Sequence, residues 1–531
     1  TLSDTLSLHD ALPIFQVFTD ALDELMALGF IAARDGTPPP SGDDRKSRRL
    51  PNEAPLTPGQ TERWLAASFD PQARRALNES LCLSLQGSVD LGAMEAALGD
   101  VMQRHEAFKI RFDAAEPLQV LDAAARPVVK HVDLRAQADA EAALERFCEQ
   151  ASVHDFALDT APLAQVSLLR LADGRTVVHL VTSHLIFDGW ATPVFLADLA
   201  TAYRARSAGL APHWPLEAES PRAFAIDEQA RWDGPQGQEA LAFWKSRLSR
   251  PPAPLVLGDR QPPQPRRYSG DTLRAQIDGD LLTALQPLAR QHKATMFQLL
   301  LAAVSVAVQR RTGSEDFVIS IPYASQSLDR HGPLIGDGVL DLPLRLSCRA
   351  ADDFATVLGH VRNALMDALE QPLATQGSVA RAVGVASVGN RPPLTGVFFN
   401  LNPKLDLRGF EPLQAQVREA RKLGLLGEVI FNFYETPQAL TLDLHHSTEF
   451  FSPERAAELV ESLLAVLRQI AGARPVAVAA ATPATALVST GAPGLSAHDL
   501  ERLTRWNATE VAYETGLRLG DLIRRSVQAH P

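Results

Sequence analysis

Cysteine is scarce in this chain: Cys82, Cys148 and Cys348 are the three in 531 residues, far apart in sequence and without a CxxC pair. That spacing offers neither a disulfide framework nor a zinc site, and it fits reduced thiols in a cytoplasmic protein. Runs of positive charge are also missing. The formal net charge is −12 with no long Lys/Arg block, which argues against nucleic acid or an anionic membrane as the main partner. No apolar run approaches the roughly 20 residues that span a bilayer. The first residues lack a charged segment followed by a long apolar one, so no secretory signal is read. No GxSxG elbow, GxxxxGK[ST] phosphate loop or GxGxxG turn occurs, and the carboxylates form no metal-ligand cluster in the sequence. These absences remove α/β-hydrolase, nucleotide-binding and metal-dependent readings. What remains is a soluble, cytosolic protein.

What is present is globular. Hydrophobic residues make up 46% and charged residues 21% of the chain, and its length calls for two or more lobes of ordinary domain size. Residues 1–15 match nothing downstream and have the character of non-native sequence. Residues 16–33 carry apolar side chains at helical spacing, and a polar, proline-rich stretch, Thr37-Pro-Pro-Pro-Ser-Gly-Asp-Asp-Arg-Lys, reads as a linker after an upstream domain. From residue 56 to about 480 the pattern is α/β. Strands are expected at residues 81–85, 164–171, 177–181, 317–321, 396–401 and 440–444. The clearest helix is expected at 91–102, where Leu91, Met94, Leu98, Val101 and Met102 share one face. Proline-rich residues 249–265 break the middle, and residues 472–496 read as an exit linker.

The stretch that carries chemistry is Ser183-His184-Leu-Ile-Phe-Asp188-Gly189-Trp190. It follows an apolar run that reads as a buried strand and precedes a helical pattern with Thr192 as the expected cap and Pro193 at the first position. A lone histidine at a strand end is more often structural. His184 stands out because Asp188 and Gly189 lie beside it in a loop, where a carboxylate can orient local structure and glycine allows unusual backbone angles or close approach of a substrate. A histidine near its ordinary pKa can accept a proton at neutral pH, as acyl transfer to an amine or alcohol requires. His179, inside the strand, reads as packed or surface-facing. The adjacent pair His445-His446 lies in a strand pattern, points to opposite faces and is read as structural.

Several segments together resemble the condensation domains of nonribosomal peptide synthetases. Leu56-Thr-Pro-Gly-Gln60-Thr-Glu-Arg-Trp64-Leu is similar to the family's first motif. Arg104-His105-Glu106-Ala-Phe108-Lys109-Ile-Arg-Phe112 is similar to RHExLRxxF, with Lys109 and Phe108 as departures. Residues 183–190 resemble the HHxxxDG signature, with Ser183 where the first histidine would stand. Arg310-Arg-Thr-Gly-Ser-Glu-Asp-Phe-Val, Ile335-Gly336 through Arg345, and Arg391-Pro-Pro393-Leu394 with Phe398-Phe-Asn400 follow in the family's order. Arg75-Ala-Leu-Asn-Glu-Ser-Leu and Val397-Phe-Phe-Asn-Leu-Asn-Pro look closest to domains at polyketide–peptide junctions. Trp506-Asn507-Ala-Thr509-Glu-Val-Ala-Tyr513 looks like the start of an adenylation domain.

The resemblance implies an α/β fold of two chloramphenicol-acetyltransferase-like lobes set in a V around an active-site tunnel. On that reading residues 1–53 are an upstream tail and linker, 54–235 the N-terminal lobe, 236–485 the C-terminal lobe, and 486–531 a linker and the start of an adenylation domain. It also implies amide formation between a carrier-bound acyl thioester and the amine of a carrier-bound aminoacyl group. His184 would orient that amine or take its proton. Ser183, Asp188, Gly189, Arg104 and Arg310 would be structural, with Arg310 the candidate partner of a buried Asp188. No cofactor or metal is implied, because 4'-phosphopantetheine arms of upstream donor and downstream acceptor carrier proteins bring the substrates. The other partner implied is the adenylation domain of the same chain, and an excised domain would be monomeric. The alternative reading is a degenerate domain kept for carrier docking or enzyme recruitment; a free-standing acyltransferase using a soluble CoA thioester fits the adenylation-like tail poorly.

Overall fold

The structure, a computed structural model, describes residues 50–472 apart from 278, 326–331, 388–389 and 436–438. The chain divides into two compact units at residue 479/480, and every described residue belongs to the first. The expectations for residues 1–15, for a helix at 16–33 with its linker, and for an adenylation start beyond 486 lie outside the described residues.

The fold is a mixture of sheets and covering helices, as the alternating sequence pattern anticipates. A five-stranded sheet runs in the order Gln414–Glu419, Asn78–Gln86, Arg175–Ser183, Ala164–Arg170, Val129–Asp133. A six-stranded sheet runs Val339–Ser347, Asp316–Ala324, Val397–Asn402, Val429–Glu435, Leu440–Ser447, Gly270–Ile277. A small three-stranded sheet joins Glu53–Pro55, Leu118–Leu121 and Ile110–Phe112. All six expected strands are present. Five run past the expected stretch at one end or both, because polar residues at strand ends still complete the ladder, and Ala164–Arg170 stops one residue short of it.

Each large sheet has its own core. Around the five-stranded sheet, the helices Leu91–Arg104 and Ala191–Ser207 bury Met94, Leu98, Phe195 and Leu199 against Val178 and Leu180. Around the six-stranded sheet, the helix Met296–Thr312 is buried along most of its length. Thr295 and Gln298 form a capping box at its start, and Gly313, at φ 71°, ends it in the left-handed region. The strand Arg175–Ser183 is central in its sheet and buried from Thr176 onward. Its alternate side chains divide, Val178 and Leu180 into the main core and Val177 into a smaller cluster with Cys82 and Cys148.

The five-stranded sheet takes its edge strand, Gln414–Glu419, from beyond the division expected at 235/236. That strand pairs antiparallel with Asn78–Gln86, setting Glu419 opposite Leu81. Basic residues at its end reach acids of the first part of the chain: Arg418 to Glu141 at 2.9 Å, Arg421 to Glu149 at 2.9 Å and Lys422 to Glu79 at 2.5 Å.

The cysteines depart from the sequence reading. Cys82 and His179 face each other across the strand pair Asn78–Gln86 and Arg175–Ser183, and the helix Ala140–Ser152 lays Cys148 on them. The two sulfurs lie 3.5 Å apart, and one ligand atom from each of Cys82, Cys148 and His179 falls within 4.8 Å of the others. All three residues are buried, and His179 Nε2 meets Ser80 Oγ at 2.8 Å. All three cysteines are free, as expected of reduced thiols, but a spacing of 66 residues concealed the contact between two of them.

Candidate active site

The buried strand Arg175–Ser183 delivers the motif and stops in a tight turn, His184–Ile186. Ser183 is the hinge: its amide donates to Leu163 O at 3.0 Å, and its hydroxyl accepts from Leu185 N at 3.4 Å. The His184 amide donates to Leu77 O at 2.8 Å, and Gln60 Nε2 donates to Leu185 O at 2.8 Å. Leu185, Ile186 and Phe187 then sink into the core. The turn is fixed from several sides, while the His184 side chain keeps 20% of its surface open.

Asp188 is buried and accepts from backbone amides with both oxygens. Oδ1 accepts from Trp190 N at 2.9 Å and Ala191 N at 3.0 Å, and Oδ2 accepts from Gly338 N at 3.0 Å. Its own amide donates to Gly336 O at 3.2 Å. The helix Ala191–Ser207 therefore begins just before the expected Thr192 cap, and Asp188 supplies the oxygen for its first amides. Gly189 does not use left-handed backbone; an added Cβ would meet Asn402 Oδ1 at 3.6 Å, an ordinary contact.

Arg310 is not the partner of Asp188. It sits in the last turn of Met296–Thr312, within electrostatic reach of Cys348, just past the end of the strand Val339–Ser347. Asp188 bonds Gly338, just before that strand's start, and nine residues of strand span roughly 30 Å. The arginine near the site is Arg63, from the first motif. Its guanidinium reaches Asp337 Oδ2 at 3.2 Å, Val339 O at 3.2 Å and Asp341 Oδ2 at 3.1 Å. Gly59, one turn earlier, allows this approach, since a Cβ there would lie 2.3 Å from Val339 O and 2.9 Å from Arg63 Nη1.

Arg104 has a structural place away from His184. Arg104 Nε and His105 Nε2 both hold Asp198 Oδ2, at 2.9 and 2.8 Å, and Arg104 stacks 4.4 Å over the Trp214 ring. Glu106 takes Arg222 and Ser220. The Arg-His-Glu run therefore ties the helix Ala191–Ser207 and the segment after it to the first core. His445 and His446 are buried structural residues, as expected; His445 contacts Thr272 Oγ1 at 2.9 Å and Asn432 Nδ2 at 3.2 Å.

The electrostatics of His184 were not legible in the motif. Its Nδ1 lies 3.7 Å from Asp337 Oδ1 and makes no hydrogen bond, and its Nε2 lies 3.9 Å from Glu79 Oε1. Burial, reinforced by the nearby Arg63 cation, lowers the imidazole pKa to about 3, so the ring is neutral at pH 7. Burial pushes the Asp337 carboxyl up to about 7 against the pull of Arg63. Burial also pushes Glu79 upward, but Lys422 and His184 outweigh it and hold Glu79 below the usual carboxylate range.

Two cavities adjoin the site. One is lined by Phe187, Asp188, Gly189 and Thr192, and the other by Asn78, Lys422 and Gly424. Glu79, Ser80 and Glu419 line both. Sequence reasoning missed Arg63, Glu79, Asp337, Glu419 and Lys422. The first three stood inside motif segments, whereas Glu419 and Lys422 carried no signal.

Residues 51–479 match the family model of the condensation domain, and the chain belongs to that family. A linear gramicidin synthase of Brevibacillus parabrevis is 27% identical over 505 residues, which cover 93% of this chain and 10% of that protein. The chain thus spans about a tenth of that relative's length. The starter condensation domain of rhizomide synthetase RzmA superposes with a TM-score of 0.72 at 20% identity, over 82% of this chain and 98% of that one. The condensation domain of the monacolin K polyketide synthase MokA gives 0.71 at 18% identity, over 80% and 99%. At these identities the two structures show the shared, chloramphenicol-acetyltransferase-like fold. No helix among the described residues is long and apolar enough to cross a membrane.

Proposed function

We propose that this condensation domain forms an amide between an acyl thioester donor and the amine of an aminoacyl acceptor, each carried on a phosphopantetheine arm. The observation that carries this reading is a neutral, partly open His184 on a rigid turn, beside two cavities that share Glu79, Ser80 and Glu419. Two openings at one site support approach of two substrates, in a V of lobes 54–235 and 236–485 around a tunnel. Upstream and downstream carrier proteins would bring them, with an adenylation domain beginning after residue 486. The work would take place in the cytoplasm, at a donor and acceptor of the kind found at polyketide–peptide junctions.

The chemistry follows from the geometry. A neutral imidazole accepts a hydrogen bond from the amine and directs its lone pair at the thioester carbonyl, so alignment replaces a bimolecular encounter. The C–N bond forms, the C–S bond breaks, and the N–H proton lost from nitrogen ends on the departing sulfur. A pKa near 3 makes His184 a weak base, so it acts mainly as a positioning acceptor.

The test supplies a donor carrier bearing an acyl group and an acceptor carrier bearing an amino acid, and follows transfer by intact-protein mass spectrometry. Amide product that disappears in His184→Ala is the expected result. Equal product from both proteins removes the catalytic reading and leaves the carrier-docking alternative.

A further inference from the structure

Two carboxylates border the site, and one of them, Glu419, lies in no motif segment. Glu79 lies on the strand Asn78–Gln86 and Glu419 ends the strand Gln414–Glu419, and pairing sets Glu419 opposite Leu81, two residues from Glu79. Both line both cavities, and their side chains remain 24% and 28% open. Lys422 Nζ holds Glu79 Oε1 at 2.5 Å, and His184 Nε2 lies 3.9 Å from that same oxygen. Glu79 is therefore already ion-paired with a cation, whereas Glu419 has no ion pair with Lys or Arg among the described residues.

We propose that Glu419 is the proton acceptor for the incoming amine: it takes one proton from the acceptor's ammonium, and His184 orients the free amine so produced. This rests on the amide-forming reading above. The balance is complete. The ammonium gives one N–H proton to the Glu419 carboxylate, and the nitrogen lone pair then forms the C–N bond at the thioester carbon. The C–S bonding pair leaves with sulfur, and the second N–H proton makes it a neutral thiol.

The surrounding charges assign the role. Lys422 and Glu79 flank Glu419 on one side. Tyr434, Asp443 and His445 flank it on the other, and Arg274 pairs with Asp443 at 2.6 Å. Burial raises Tyr434 well above its ordinary range and lowers His445 to about 3, so neither changes charge near neutrality. Burial, aided by the Glu79 anion, pushes Glu419 up to about 7. A group with that affinity can take a proton from an ammonium and release it again, which His184 at about 3 cannot do efficiently.

The experiment uses the 531-residue chain with a panel of acyl N-acetylcysteamine thioesters as donors. One acceptor is an aminoacyl N-acetylcysteamine thioester, protonated near neutrality; the other is its aminooxyacetyl counterpart, whose amine is neutral at pH 7. Glu419→Gln is expected to slow the first acceptor by about tenfold or more and to remove a rise in rate centred near pH 7. It should slow the aminooxy acceptor by less than about threefold, whereas His184→Ala should suppress both. Glu419→Asp is expected to restore part of the rate with the aminoacyl acceptor. Equal losses of both acceptors in Glu419→Gln, or an unchanged pH profile, overturn the proposal. Failure of the wild-type chain to form amide from any pair, or indifference to His184→Ala, sinks the parent reading and is seen without a Glu419 variant. pH-difference infrared spectroscopy gives a substrate-free check: Asp337 also titrates near neutrality, so the protonated-carboxyl band there should shrink by the Glu419 share in a Glu419→Gln protein with wild-type circular dichroism. An undiminished band also overturns the proposal.

Discussion

His184 Nδ1 and Asp337 Oδ1 stand 3.7 Å apart, beyond hydrogen-bond distance, and Asp337 turns its other oxygen to Arg63 at 3.2 Å. The histidine is thus not held by a carboxylate in the manner of a catalytic triad. It experiences the Arg63 cation at close range, and that cation, after burial, is the largest influence lowering its proton affinity. Arg63→Gln should therefore raise the His184 pKa by about one unit or more, whereas Arg63→Lys should not. Titration of the His184 ring by NMR reads this directly. An unchanged titration in Arg63→Gln would leave burial and Lys422 as the causes.

The same depressed affinity makes His184 a source of acid sensitivity. The unfolded chain binds a proton at the ordinary value of about 6.5 and the folded chain only near 3. The unfolded state therefore holds more protons between those values. Stability is fully present above about 6.5 and is lost as pH falls toward 3, by at most about 5 kcal/mol for this group. His184→Gln should flatten that part of the curve, which denaturant unfolding at a series of pH values will show. Parallel curves for the two proteins would be the contrary result.

Ser183 fills a site that is only 2% exposed, and its one side-chain bond, to Leu185 N, is long at 3.4 Å. Ser183→Ala should destabilise by no more than about 1 kcal/mol. Ser183→His must fit a ring beside Asn78 on the neighbouring strand, and overpacking there should cost about 1–3 kcal/mol. Amide formation should stay within about tenfold, equivalent to about 1.4 kcal/mol of barrier. Thermal melts and the carrier-transfer assay check the two parts separately, and a collapse of activity without unfolding would give Ser183 a specific chemical role.

The strands and the main helices were legible because alternation and helical spacing are local, and the motif order carried the fold. His184 and the structural use of Asp188 were legible for the same reason: both lie within one short loop. The partners were not. Asp188 spends its charge on backbone amides, which every residue offers, so no side-chain pattern could point to Gly338. Arg63 was present in the first motif, but its targets lie more than 270 residues away. Glu419 and Lys422 arrive at Glu79 only because an edge strand from late in the chain joins the first sheet. The Cys82–Cys148 contact likewise depends on how a helix lies across two strands, which linear spacing does not encode.

Asp188 gives the sharpest separation of the sequence reading from the structure. Its two oxygens accept three backbone amides, Trp190 and Ala191 on one side and Gly338 on the other. Asp188→Asn keeps the size but replaces one oxygen with an NH2 group. That group meets either the Gly338 N–H or the helix amides, donor against donor, in a buried place. The lost charge-assisted bonds and the unsatisfied donor together should cost about 2–4 kcal/mol and loosen the turn that holds His184. Arg310→Ala removes a side chain near Cys348 at the far end of the strand, and should leave the amide-forming rate within about twofold. Were Arg310 the partner, the two substitutions would be strongly non-additive. The structure requires a double-mutant cycle with coupling below about 0.5 kcal/mol. Denaturant unfolding of the four proteins measures it, and a coupling above about 1.5 kcal/mol would restore the arginine to the site.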